Sequence, residues 1–460
     1  MEQNANASIP EKKQGKLKRN LTVFEATMYS ISFVIGTGIF MKPAVVLVNT
    51  GSTGMAMIIW FAGGMISLCS ALTIAEIAAY IPKVGGMYTY IVELYGDFVG
   101  YIYGWVYMLI SGPGGVAAAA MAFATFASYF IQMNLFQLRM LSLGAILFCA
   151  IIQMLSTKFS MQIQSIGTIA KLIPIFAIVI IGLAKGNIPG AINFDLVGGS
   201  PTGGIAVALL GVLWSFDGWQ ATCTLGEEMV KPEKNLPKSI ILSLTIVTVI
   251  YMLFNYVIFK TATDTQIIGS TDSSIGVVVA QTLFGHAGAT LVAIGMLISA
   301  LTSLNAQIVS PTRYLLAMAN RRQVVGARFL SHINVKYDTP IRCLITVIML
   351  ATIYILTGTF NSVTDLVIFI IWIFFVLCVA GIFKMRKTHP HDKNLYHVPL
   401  FPVIPIIGIL GGSYLVIATM IESPKTAIIG IVVALAGIPM LYYCKKRYAN
   451  DNVNSGDHEE

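Results

Sequence analysis

Two short stretches interrupt helix-length apolar windows with glycine and a polar residue: Ile35-Gly36-Thr37-Gly38-Ile39 and, 180 residues later, Ser215-Phe216-Asp217-Gly218-Trp219. Glycine costs about 1 kcal/mol relative to alanine inside a helix, so two glycines around a threonine form an unwinding point. Small residues also let helices pack closely, and either stretch taken alone fits that reading equally well. Their matched placement, each in the first helix of one half of the chain, favours a pair of discontinuous helices. Such a break exposes N–H groups at the start of the second half-helix, which attract a carboxylate, and carbonyls at the end of the first, which attract an ammonium. The chemistry suits a zwitterion. Because non-helical backbone inside a bilayer must be buried in protein or line a cavity, the two breaks should face each other.

Two charges stand within apolar runs. Lys171 has apolar neighbours on both sides and Pro174 one turn later; a lysine near mid-bilayer costs about 3 kcal/mol on insertion scales, so it needs a partner or a task unless it snorkels. Carbonyls freed at a helix break, such as those near Ile35 and Gly36, are candidate acceptors for its ammonium. Asp217 either meets a cationic group of a ligand or satisfies loose backbone at the second break. Trp214, just before that break, reads as packing when taken alone. Glu227, Glu228, Lys231 and Glu233 follow as a charged helix end, either a solvated cap or a gating ion-pair set.

The elements that must position these residues are helices. A hydrocarbon core about 30 Å thick takes about 20 apolar residues per crossing, and twelve such windows occur: 22–49, 54–80, 97–130, 139–156, 159–184, 202–229, 237–259, 287–318, 341–358, 362–385, 399–421 and 425–444. With 56% hydrophobic and 11% charged residues over 460 positions and a mean hydropathy of +0.78, there is too little charge for a water-facing surface. The fold class is all-α integral membrane: a basic tail at 1–20, a transmembrane domain over 21–447 and a second tail at 448–460. No signal-peptide pattern precedes the first span.

The net charge of +8 is explained by position. On one side stand 22 basic residues, among them Lys12, Lys13, Lys16, Lys18, Arg19, Lys83, Lys158, Arg321, Lys384, Arg386 and Lys445; the other side holds 5, namely Lys42, Arg139, Lys185, Lys260 and Lys425. The positive-inside rule then places both termini in the cytoplasm of a multi-pass cell-membrane protein and removes the need for a nucleic-acid partner. The six cysteines show no metal-like spacing and imply no disulfide framework. No metal or other cofactor is expected. An intramembrane enzyme would need a nucleophile or metal set, but no His-Glu-x-x-His occurs and His286, His332, His389, His391 and His397 fall in loops or at edges; no Walker A sequence is present either. A channel would not require matched breaks.

The ordered set Gly36-Thr37-Gly38-Ile39-Phe40, Glu76 with Pro82-Lys83-Val84-Gly85-Gly86-Met87-Tyr88, Trp214-Ser215-Phe216-Asp217-Gly218-Trp219 and Glu227-Glu228-Met229-Val230-Lys231-Pro232-Glu233 resembles the amino acid-polyamine-organocation superfamily, in its L-amino acid transporter branch. The resemblance runs from Leu21 to Arg447. It implies five-plus-five inverted repeats at about 22–184 and 202–385, two extra helices at 399–444, and sodium-independent exchange of small neutral amino acids by alternating access. A proton-coupled amino acid or polyamine symporter is the alternative. The resemblance also implies substrate contacts at Ile35 through Ile39 and at Trp214 through Gly218, with Trp214 closing over the substrate. It sets Lys171 against the break in span 1 in place of a sodium ion, with Ser303 and Asn305 near the same point. Animal members carry a cysteine between spans 3 and 4 that links a heavy subunit; residues 131–138 contain none here, so no disulfide-linked partner is expected.

Overall fold

The computed structural model describes residues 21–81, 86–155, 157–196, 204–225, 229–270, 274–333, 340–389 and 392–448. Its first half contains α1 (Val23–Val34), α2 (Gly38–Thr50), α3 (Thr53–Tyr80), α4 (Met87–Tyr95), α5 (Asp97–Val106), α6 (Gly112–Ala127), α7 (Leu135–Leu155) and α8 (Thr157–Lys185). The second half contains α9 (Gly204–Phe216), α10 (Pro232–Thr261), α11 (Asp264–Ile268), α12 (Ile275–Asn320), α13 (Ala327–Leu330), α14 (Ile341–Thr357) and α15 (Phe360–Thr388). Two final helices, α16 (Val403–Glu422) and α17 (Pro424–Arg447), complete it. Among the described residues there is no strand, only a single bridge between Leu21 and Met229.

Sequence chemistry explains where these helices start. Thr22 caps α1 in a reciprocal pair with Glu25, Ser52 caps α3 through the Met55 N–H, and Thr359 pairs with Ser362 at the head of α15. Pro232 and Pro424 occupy first-turn positions of α10 and α17, where a missing N–H costs nothing. A carboxylate from another helix serves α9: Glu422 accepts the Ala206 N–H at 3.0 Å.

Nine stretches among the described residues are long and apolar enough to cross a bilayer, and α1 with α2, bent by 50°, makes a tenth. The expected count of twelve rests on adding α8 and the 17-residue α14. The span expected at 287–318 is longer than anticipated. Helix α12 begins at Ile275 because a kink at Gly285, with φ 69°, joins a preceding helical piece to it. The span expected at 97–130 is likewise composite: α5 passes through a π-helical turn, Tyr107–Ser111, into α6. The Tyr354 hydroxyl donates to the Leu109 carbonyl in that widened turn. Just after it Gly112 lies against Pro311, whose Cβ would sit 2.4 Å from any Cβ at that position, so α6 and α12 meet at backbone distance. Outward faces of α8, α14, α16 and α17 carry exposed Ile173, Ile180, Met349, Leu410, Ile428 and Val432, a surface suited to lipid.

The tails 1–20 and 449–460, Pro82 through Gly85, Glu227, Glu228 and Lys336 lie outside the described residues. One expectation is overturned. Lys42, counted above among the orienting charges of the less basic side although it falls in the window 22–49, lies inside α2 with no exposed surface, and its ammonium reaches Asp365 of α15 at 3.3 Å. A charge within an apolar window reads as an orienting charge unless its partner is known, and this partner is 323 positions away.

A second buried charge holds the end of α3. Glu76, fully buried, receives two bonds from the Arg386 guanidinium at 2.8 and 2.7 Å, one from the Val398 N–H at 2.6 Å, and faces His397 at 3.4 Å. It therefore ties α3, α15 and the segment leading to α16. Removing one member of a buried pair costs about 3 kcal/mol or more because the other is left uncompensated. Glu76→Gln should lower the thermal unfolding midpoint in detergent clearly, whereas Lys387→Gln, the exposed residue next to this clamp's arginine, should leave it unchanged.

Candidate functional site

Helix α1 stops because of the glycine stretch. Its last regular bond runs from Ile35 N–H to the Ile31 carbonyl at 2.8 Å, and the chain leaves the helical ladder after it. Lys171 donates to the Ser32 carbonyl. This is one turn earlier than the expected Ile35 and Gly36 carbonyls, since the regular ladder already ends at the Ile31 carbonyl. The Tyr251 hydroxyl lies 3.1 Å from the Val34 carbonyl. The chain then bends through Ile35, Gly36 and Thr37 and resumes as α2, whose first turn has no side-chain cap.

The second break answers the first. α9 ends at Phe216, Gly218 takes φ 113°, a value that strains any residue with a side chain, and a 3-10 segment, Trp219–Leu225, follows. Here too the carbonyls find partners: Trp214 accepts the Asp217 N–H at 3.2 Å, and the Ser215 carbonyl lies 2.9 Å from the same Tyr251 hydroxyl. Tyr251 thus stands between both broken helices. It is fully buried, wedged against Trp60 and Phe216. Sequence reasoning missed it, because one tyrosine in an apolar helix carries no local sign of its distant acceptors.

The breaks touch each other. A Cβ at Gly218 would lie 3.0 Å from the Phe33 carbonyl, and one at Gly38 would lie 2.7 Å from Ser215 Oγ and 2.8 Å from Ser215 Cα. Helix α8, which carries Lys171, is pressed onto α12 where Gly167 meets Thr302 and Pro174 meets Gly295. On α12, Ser303 Oγ lies 3.7 Å from the Cβ position of Gly36, so Lys171 and Ser303 flank the end of α1. Asn305 faces α7, where it accepts Gln153 Nε2 through its carbonyl at 2.7 Å and its Oδ1 at 3.3 Å.

A cavity of about 80 Å³ opens beside the breaks on the side from which α1 starts. One water needs roughly 10–15 Å³, so there is room for a group of several heavy atoms. Asp217, Gln220, Gln307, Ser310 and Tyr107 supply its polar wall, and Phe33, Trp214 and Tyr314 its aromatic one. Tyr107 is bonded to Ser310 at 2.8 Å, and the Asp217 carboxylate accepts Gln220 Nε2 at 3.1 Å. Of the residues expected to bind substrate, Trp214, Asp217 and Gly218 line this cavity. Ile35, Ile39 and Phe216 are buried in packing, and Ser215 bonds back to Gly211. The contact between Gly38 and Ser215 presses α2 against α9, which withdraws Thr37 and Gly38 from the cavity.

Among the described residues, broken apolar helices meeting beside a polar cavity are the architecture of a membrane carrier, and the chain's relatives give its class. Residues 21–443 match the amino acid permease family model, and the chain belongs to that family. It is 35% identical to the serine/threonine exchanger SteT of Bacillus subtilis, over 94% of this chain and 98% of that protein. It is also 31% identical to the human cystine/glutamate transporter, covering 95% and 87%, and 30% identical to the mouse b(0,+)-type amino acid transporter 1, covering 90% and 85%.

Tyr251→Phe keeps the ring between Trp60 and Phe216 and removes only the hydroxyl. Removing the one proton that the Val34 and Ser215 carbonyls share costs about 1–2 kcal/mol. Amino acid exchange should fall by roughly an order of magnitude at unchanged protein level, read as labelled uptake per mole of reconstituted protein.

Proposed function

We propose that this permease exchanges small neutral L-amino acids across the cytoplasmic membrane by alternating access, without sodium. One observation carries the reading: the ammonium of Lys171, on a fully buried side chain, donates to a carbonyl at the open end of α1. A positive charge is thereby built into the break, where an ion-coupled carrier would need to recruit one. Substrate carboxylate would meet the uncapped first turn of α2, and its ammonium the carbonyl ends of α1 and α9. Among the described residues Asp217 is the charged side chain in the cavity wall and no Lys or Arg lines it, which disfavours an acidic substrate side chain. SteT, by its name a serine/threonine exchanger, supports the choice of small substrates.

The reading includes twelve spans, with α8 and α14 as the fifth and ninth, and inverted repeats in which α1 with α2 corresponds to α9 with the 3-10 segment. Both termini are cytoplasmic on the basic-residue count, so the cavity faces inward and the outer half is shut. Ile35 through Ile39 would join Trp214, Asp217 and Gly218 in the site as α2 and α9 separate, Trp214 acting as the gate, while Lys171, Ser303 and Asn305 steady the end of α1. The chain works without a disulfide-linked partner.

Proteoliposomes loaded with unlabelled serine should take up labelled serine far faster than empty ones, equally well in sodium and in potassium. An absolute sodium requirement, or uptake that ignores internal serine, would overturn the exchange reading. Lys171→Ala should slow exchange sharply and alter apparent affinity on one face more than the other, because losing the donor shifts the balance of states rather than a substrate contact. Parental rates with unchanged affinities on both faces would reduce Lys171 to a structural role.

A further inference from the structure

The Lys42 ammonium has three N–H donors, and each has a partner on the first two turns of α15: Asn361 Oδ1 at 2.9 Å, Thr364 Oγ1 at 2.7 Å and Asp365 Oδ1 at 3.3 Å. Its stem is gripped from another direction. A Cβ at Gly211 of α9 would lie 3.3 Å from Lys42 Cδ, so the α9 backbone rides directly on the lysine chain. The ammonium also stands 5.2 Å from the Phe360 ring, and Phe360 meets Trp214 edge-on with centroids 6.2 Å apart. Three helices converge on this one side chain, on the far side of both breaks from the cavity.

The location separates this joint from Lys171. Lys42 lies on the second half-helix of the broken pair, four residues past Gly38, and α2 and α9 are pressed together there. On that side of the breaks the Lys42 joint ties α2 to the start of α15. A buried charge pair resists parting while dry, and each partner regains hydration once water enters. Its cost therefore depends on whether the pathway above it is closed or wet. A purely structural pair would join two helices that never move apart; this one joins a broken half-helix to its neighbour.

We propose that Lys42 and Asp365 are the positioning pair that holds the outer half of the pathway shut, with Asn361 and Thr364 completing the joint and Phe360 passing its state to Trp214. The assignment rests on the exchange reading above. Taking away one partner leaves the other charge stranded in the closed state, which favours opening, whereas replacing both with apolar side chains lets the closed joint pack again.

The test compares the parental protein, Lys42→Met, Asp365→Asn and the double variant Lys42→Met/Asp365→Leu. Serine KM is measured on the outer face in whole cells and on the inner face in inside-out vesicles. Lys42→Met should lower the outer KM and raise the inner KM, each by at least about threefold, because the competent fraction scales apparent affinity. The double variant should return both values toward parental. Should Lys42→Met fail to reach the membrane, Asp365→Asn replaces it in the comparison. KM values unchanged on both faces, or a double variant shifted as far as the single one, would overturn the proposal while parental exchange persists. Absence of exchange by the parental protein would instead remove the reading on which it rests.

Discussion

Backbone that leaves the helical ladder inside a bilayer has no water to turn to, and every carbonyl it frees must find a donor in the protein. Much of the architecture answers this need at the break after α1. The chain leaves the ladder there, and donors reach its carbonyls from two helices far away in sequence, Lys171 on α8 to Ser32 and Tyr251 on α10 to Val34. Tyr251 also serves α9, so one hydroxyl stands between the ends of both discontinuous helices. A hydroxyl has one proton for two acceptors, which lets it favour either helix end without a charge being moved. The lysine differs in kind, because its amino group carries more than one N–H donor to the end of α1, where the helix dipole is negative.

Around this centre the buried charges are distributed by task. Glu76 and Arg386 fasten α3 to α15 with bidentate geometry and a further backbone donor, an arrangement with every acceptor position used and little freedom to rearrange. Lys42 and Asp365 fasten α2 to the other end of α15 with a single contact at 3.3 Å, supported by an amide and a hydroxyl. One helix therefore carries a rigid clamp near its end and a looser joint near its start, and the looser joint is the one attached to a broken helix.

How far this was legible in the chain depends on how local each signal is. The breaks at Gly36-Thr37-Gly38 and Asp217-Gly218 were legible because glycine acts on its own backbone and needs no partner to be read. Lys171 was legible because the cost of its position demands an oxygen, though which carbonyl it reaches follows from where the ladder ends, a matter of one turn. Lys42 was counted as an orienting charge of one side rather than as a buried one, since nothing near it in sequence offers an acceptor and Asp365 lies in another helix. Tyr251 was invisible for the same reason in milder form: a tyrosine among isoleucines and valines looks like packing. The family resemblance conveyed what spacing did not, the order of the broken helices, and the amino acid permease match bears out that broader identity.

The π-helical turn at Tyr107–Ser111 has a consequence for how this wall of the cavity tolerates change in length. A π turn holds one residue more than an α turn, so it offsets the register of the helix that follows by about 100° relative to a regular continuation. With that offset Tyr107, Ser111 and Gly115 all face the cavity, and Gly112 is aimed at Pro311. Losing a single residue from this turn would restore an unbroken helix and rotate the whole of α6 on its axis, carrying its small-residue face away from α12. Relatives that vary freely in loop length should therefore keep the number of residues between Tyr103 and Gly112 fixed, and an insertion or deletion here would act as a change of helix face rather than of helix length.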